Sequence, residues 1–186
     1  MALSFFSAES ASAVIGCEPS LVYEILIDYD SYSEWMPMVY TSRLLAEEGD
    51  LATAELSISL GEGETMAIEC IHDRNRMVLS RAIGGSLPVE KMQWDIEPEG
   101  SGSCKVSLAM HPEERWQTFL PSHRRFLNPE ACLAGLRRQT TLFDGDQSVS
   151  GPNGEIVLQI RETAEGLVAL YQGKHYKLTP VEEPKA

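Results

Sequence analysis

Between residues 52 and 110 the chain alternates apolar and polar positions in successive runs. Ala52, Ala54, Leu56, Ile58 and Leu60 stand against Thr53, Glu55, Ser57 and Ser59, the period of two that marks a strand with one buried face. Gly61-Glu62-Gly63 turns the chain, and Met66, Ile68 and Cys70 then alternate with Thr65, Ala67 and Glu69. Beyond Asp73-Arg74-Asn75 the next run sets Met77, Leu79 and Arg81 against Val78, Ser80 and Ala82, and Gly84-Gly85 ends it; we assign the methionine side to the interior. Met92, Trp94 and Ile96 follow against Lys91, Gln93 and Asp95. After Gly100-Ser101-Gly102 come Cys104, Val106, Leu108 and Met110 against Lys105, Ser107 and Ala109. Short turns between such runs predict an antiparallel meander with one apolar face, which needs a cover.

Two stretches supply helices. In the first, Val22, Ile25, Leu26 and Tyr29 recur at helical spacing after Pro19. The pattern breaks at Asp30-Ser31, resumes at Tyr32 and Trp35 and stops at Pro37, which predicts two short helices in tandem. Residues 11–17 precede them as a first strand; Val39, Tyr40, Thr41, Leu44 and Leu45 follow as another. In the second stretch, Pro112 opens a pattern through Trp116, Phe119, Leu120, His123, Phe126 and Leu127, kinked at Pro121. Asn128-Pro129-Glu130 is a fresh helix start, with Asn as N-cap, running through Leu133 and Leu136 to Phe143. Residues 144–154 read as a linker. Residues 155–161, 167–171 and 174–178 read as three short strands, too little area to fold alone. The expected organisation is a domain over 1–143, the linker 144–154, a β-meander extension over 155–179 and a disordered tail 180–186.

Val22-Tyr23, Ile25-Leu26, Asp28-Tyr29, Tyr32, Trp35-x-Pro37 and Ser42 resemble the opening of the START-like, polyketide cyclase-like (SRPBCC) superfamily, most closely its coenzyme Q-binding branch. The looser order of strands and helices extends the resemblance over residues 11–143. It implies an α+β helix-grip fold: a curved antiparallel sheet of six or seven strands closed over a C-terminal helix, with a cavity between them. In this chain the covering helix is expected to be broken at Pro121 and Pro129. The resemblance also makes Asp28 a structural helix-end residue.

Charge narrows the partners. The chain's 186 residues include 15 basic and 28 acidic side chains, a net charge of −13, and such a field repels phosphate backbones. Nucleic acid is therefore not an expected partner, and membrane contact is at most peripheral, through Arg124, Arg125, Arg137 and Arg138. No apolar run reaches the roughly 18 residues that cross a bilayer, and the N-terminus lacks the basic start of a signal peptide. Cys17, Cys70, Cys104 and Cys132 are widely spaced, with no C-x-x-C pair, as expected of reduced, buried thiols in a cytoplasmic protein.

Candidate chemistry lies on the interior. Met66, Met77, Met92, Trp94 and Met110 from the strands, Trp116 and Phe119 from the cover, and Trp35 form a large, soft, aromatic set suited to a flexible apolar ligand. Arg81 and His123 are the polar members of that ligand-binding set and the only weak catalytic candidates: an arginine polarises a carbonyl, and a histidine bonds one or moves a proton. His72-Asp73 is expected to be a solvated pair beside a turn, His111 to begin the covering helix, and Glu18, Glu24 and Glu34 to be exposed by helical phase. No metal constellation occurs, and no cofactor is expected. The leading reading is binding or carriage of a hydrophobic small molecule, a lipid, quinone or polyketide-like compound, without chemistry. One alternative is a polyketide cyclase or aromatase using His123 and Arg81. Another is a protein-interaction module with a filled core. The extension is expected to dock on the main domain or to form a homodimer contact.

Overall fold

The alternating runs become neighbours in one antiparallel sheet: β1 (Glu9–Ile15), β2 (Val39–Glu48), β3 (Leu51–Ile58), β4 (Glu64–Asp73), β5 (Met77–Gly84), β6 (Val89–Pro98) and β7 (Cys104–Pro112). Their order is β1-β7-β6-β5-β4-β3-β2, a meander whose last strand is flanked by the first. The structure, a computed structural model, describes residues 8–58, 64–84, 89–112, 128–143, 148–150, 156–163, 166–171 and 174–178. Between β1 and β2 lie α1 (Pro19–Ile27), a 3-10 turn (Tyr29–Ser31) and α2 (Tyr32–Trp35); α3 (Pro129–Phe143) follows the sheet and packs on β1, β7, α1 and α2. This is the α+β helix-grip arrangement, with seven strands in the sheet.

The local chemistry explains why the helices sit where they do. Pro19 occupies the first turn of α1, where its missing N–H costs nothing. Leu21, Val22, Ile25 and Leu26 are all buried. Asp28 caps the end of α1, and the Tyr32 hydroxyl donates to the Leu26 carbonyl at 2.6 Å, satisfying an acceptor left over at the helix terminus. The Leu44 N–H donates to Asp30 Oδ1 at 2.7 Å, and Ser42 Oγ donates to the Asp30 carbonyl at 3.1 Å, so β2 is hydrogen-bonded to the turn between the helices. Asn128 caps α3 as its sequence predicts, its Oδ1 accepting the Ala131 N–H at 2.9 Å. Midway along α3, Gly135 faces the Trp35 backbone carbonyl so closely that a Cβ would collide with it. Glycine thus lets α3 seat directly on α2.

Several expectations need correction. In β5 the phase is reversed: Val78 and Ser80 are buried, while Arg81 is exposed and Met77 only part-buried. Asp73 pairs with Met77 across the turn, so His72 must face Val78 and Cys70 must face Ser80. The methionine side of β5 therefore lies on the outer face. His111 and Pro112 do not begin a helix; they end β7, opposite Lys91 and Val89. Glu24 is buried at 6 % exposure rather than solvated, whereas Glu18 and Glu34 are exposed. The stretch expected to be a linker contains a strand, β8 (Ser148–Ser150), which pairs with β9 (Ile156–Thr163). With β10 (Gly166–Tyr171) and β11 (Lys174–Lys177) it makes a sheet of four strands in the order β11-β10-β9-β8, and β9 lies against α1 and α3. Leu60, the Gly61-Glu62-Gly63 turn, the helical pattern from Trp116 to Leu127 with its kink at Pro121, most of the linker and the tail 180–186 lie outside the described residues.

Candidate functional site

The inner face of the sheet is organised in rows by strand register. Cys70 on β4, Ser80 on β5, Met92 on β6 and Met110 on β7 face one another in sequence, and His72, Val78, Trp94 and Leu108 form the adjacent row. All eight are buried. Helix-borne aromatics press into this face. Tyr29, Tyr32, Trp35 and Trp94 form a stack with successive ring centroids 5.3, 5.1 and 6.1 Å apart, the last two pairs edge to face. The indole N–H groups of Trp35 and Trp94 find no hydrogen-bond partner among the described residues.

Away from this stack, a small hollow opens between α2 and the inner face of the sheet. Its apolar walls come from Met36, Val39, Leu56, Met66, Val89 and Met92; Ile68, Ala82 and Ser80 complete them, with Glu90 and Lys91 at the rim. Its volume is about 20 Å³, the space of about one water molecule. A larger open hollow of about 770 Å³ lies at the other end of β4 and β5, beside the start of α1. It mixes Arg74 and Arg76 with Glu18, Asp95 and Glu97, so no single ligand charge suits it, and it contains none of the sequence-predicted site residues. The smaller one has the concave apolar lining of a small-molecule site.

A chain of polar groups runs behind the small hollow. Ser80 is among the residues lining it, and its Oγ accepts from the Cys70 thiol at 3.4 Å. The Tyr29 hydroxyl, close enough to that thiol to favour its ionised form, lies 2.6 Å from His72 Nε2. The His72 ring stacks on Tyr29 at 5.9 Å and meets the edge of Tyr23 at 6.2 Å. Burial lowers the His72 pKa below its usual 6.5, partly offset by Glu47 and Asp50, so the ring is neutral at neutral pH. Burial raises the Tyr29 hydroxyl well above its ordinary value and raises the Cys70 thiol, keeping both protonated. The expectation of a solvated His72-Asp73 pair is thereby corrected: Asp73 is exposed, but His72 is 7 % exposed and bonded inward.

Of the residues predicted for the site, Met66 and Met92 line the hollow, while Trp35, Trp94 and Met110 belong to the packed interior beside it. Met77 and Arg81 do not join them. Arg81 Nη2 pairs with Glu69 Oε2 at 3.5 Å on the outer face, with 63 % of its side chain exposed. Trp116, Phe119 and His123 lie outside the described residues, as do Arg124 and Arg125; Arg137 and Arg138 are exposed on α3. The sequence reading missed Met36, Val39, Ser80 and the Cys70–Tyr29–His72 chain. The length of the β4–β5 turn was the available signal, because it sets which side of β5 faces Cys70.

A family model described as polyketide cyclase/dehydrase and lipid transport matches residues 15–124. No curated protein matches the chain. Among solved structures, similarity extends to the Zhui aromatase/cyclase from Streptomyces sp. R1128, with 16 % identity and a TM-score of 0.57 over 72 % of this chain and 93 % of that one. A START superfamily protein from Mycobacterium smegmatis has 15 % identity and a TM-score of 0.60, over 73 % of this chain and 98 % of that one. A STAR-related lipid transfer protein from Xanthomonas axonopodis has 18 % identity and a TM-score of 0.56, over 71 % and 84 %. At these identities the likeness concerns the fold.

Proposed function

The chain belongs to the polyketide cyclase/dehydrase and lipid-transport family, and from that premise we propose that it binds a hydrophobic small molecule, of lipid, quinone or polyketide-like type, at the open end of the grip and carries it without chemistry. The observation that carries this reading is the hollow walled by Met36, Met66 and Met92 between α2 and the sheet. The hollow is closed to about 20 Å³, so a ligand enters only by displacing side chains. Methionine suits such a yielding wall, being unbranched, with three rotatable bonds and a polarizable sulfur that repacks around irregular shapes. Apolar burial then drives affinity at about 25 cal/mol per Å², less the cost of ordering the ligand and parting the methionines.

Arg81 counts against the cyclase alternative, because one of the two groups that reading requires pairs with Glu69 on the far side of the sheet. The test is native mass spectrometry of the full chain purified from its own host. A retained apolar compound, displaced by a Met92→Trp substitution that fills the hollow, is the expected result. Protein that carries no compound and takes up no Nile red in a saturable way would overturn the proposal.

A further inference from the structure

The four rings stacked between the helices and the sheet differ in how their polar atoms are met. The Tyr29 hydroxyl lies 2.6 Å from His72 Nε2, and the Tyr32 hydroxyl donates to the Leu26 carbonyl at 2.6 Å. The other two rings are Trp35 and Trp94, 2 % and 0 % exposed, and neither indole N–H has a hydrogen-bond partner among the described residues. A buried indole usually finds one, because a donor taken out of water without an acceptor loses its hydration and gains nothing in exchange. Phenylalanine would fill either place with no donor to satisfy. Two such donors in contacting rings, with centroids 6.1 Å apart, therefore call for an acceptor.

Both indoles adjoin the wall of the small hollow. Trp35 ends α2, and the next residue, Met36, lines the hollow. Trp94 follows Met92, another lining residue, by two positions on the inner face of β6, about 7 Å along the strand. The setting of Trp35 against α3 gives the direction of its donor. Its Cε3 stands 3.7 Å from the place a Gly135 Cβ would take. Nε1 lies on the opposite long edge of the indole, so the N–H of Trp35 points away from α3 and no carbonyl of that helix answers it. The edge-to-face contacts with Tyr32 and between the two indoles offer these donors only π faces, which accept more weakly than an oxygen.

We infer that the indole N–H groups of Trp35 and Trp94 are the polar contacts for the ligand, and that the guest is an apolar body bearing a carbonyl oxygen, of ketone, ester or quinone type. The inference rests on the proposed carriage of an apolar molecule and narrows it by chemical class. When the methionines part, the apolar body takes the space between Met36, Met66 and Met92, and the oxygen reaches past Met92 to the indoles. A carbonyl oxygen has two lone pairs, enough for both donors. A hydrocarbon guest leaves both N–H groups as they are. The indoles are held by their stacking, so the donors stand at fixed positions behind a wall that yields.

The experiment follows the indole protons of the isotope-labelled full chain by NMR, assigned through the backbone, while octane or 2-octanone is titrated in. The expected result is a saturable downfield shift of the Trp35 and Trp94 indole protons with 2-octanone, and no shift of that sense with octane. Calorimetry supplies the second readout. Trp35→Phe and Trp94→Phe keep an aromatic ring but delete the N–H, and each should lower the affinity for 2-octanone relative to octane by about threefold to tenfold, the worth of one hydrogen bond. A merely structural loss lowers both affinities together and leaves the ratio as it was. Indole protons that respond alike to the two probes, or a ratio that neither substitution changes, overturn the inference, and saturable octane binding then keeps the carrier reading. Failure of both probes to bind overturns both. If neither variant folds, the indole protons of the native chain decide the matter alone.

Discussion

At the closed end of the grip Tyr29, Tyr32, Trp35 and Trp94 meet ring to ring beneath α1 and α2, whereas at the open end Met36, Met66 and Met92 surround a hollow. Both groups sit on the same sheet face and are almost equally buried, so burial does not distinguish them. What differs is the side chain's freedom. An aromatic ring has two torsions and a preferred edge-to-face geometry, so a stack of four rings holds one arrangement. A methionine has three torsions and no preferred partner geometry, so a wall of methionines keeps its apolar character while changing shape. The comparison teaches a division of labour: the ring stack holds the helices on the sheet, and the methionine wall is left able to yield.

The largest effect should come from breaking the ring stack. Trp94→Ala removes a fully buried side chain that meets Trp35 and should cost about 3–5 kcal/mol, read from a urea unfolding midpoint. Met92→Leu at the neighbouring inner position of the same strand should cost under about 1.5 kcal/mol. Equal losses at the two positions would erase the distinction between the ends.

A smaller effect, in direction rather than size, concerns His72. Its pKa is lowered in the folded chain by burial, so below the unfolded value of 6.5 the unfolded chain binds more protons than the folded one. Stability is therefore fully present above pH 6.5 and declines as pH falls from 6.5 toward the folded pKa. The expected outcome is a melting temperature that falls more steeply over that window in the native chain than in His72→Gln. Parallel curves for the two proteins would place the ring in a solvated environment, against the hydrogen bond to Tyr29.

Much of this arrangement is legible in the amino-acid order, for reasons that can be traced. β3, β4, β6 and β7 alternate cleanly because one face of each is polar, and α1 declares itself by Leu and Ile at helical spacing after Pro19. The interior of β5 was not legible by alternation alone, because Met77 and Leu79 on its outer face are as apolar as Val78 within. Pairing decided it, and pairing is a nonlocal property. His72 was misread for a related cause. Its position beside a turn suggests exposure, yet Tyr29 arrives from 43 residues away to cover and bond it. Ser80 in an apolar wall and Glu24 on the buried side of α1 break the polar-out rule that pattern reading relies on. β8 has only three residues in a polar stretch, too few to set a period. The site was thus half legible: Met66 and Met92 follow from alternation, whereas the polar chain depends on register and on a helix-borne tyrosine.

The most direct test of the central claim, that the open end yields to an apolar guest while the closed end holds still, is a methyl-detected NMR titration of the full chain with 2-octanone. Methionine methyl groups would be labelled and assigned by substitution. The account predicts saturable shifts in Met36, Met66 and Met92, with much smaller changes at Met110, which is buried in the same interior but does not line the hollow. Uniform small shifts across all four methyls, or none at a saturating concentration, would contradict it.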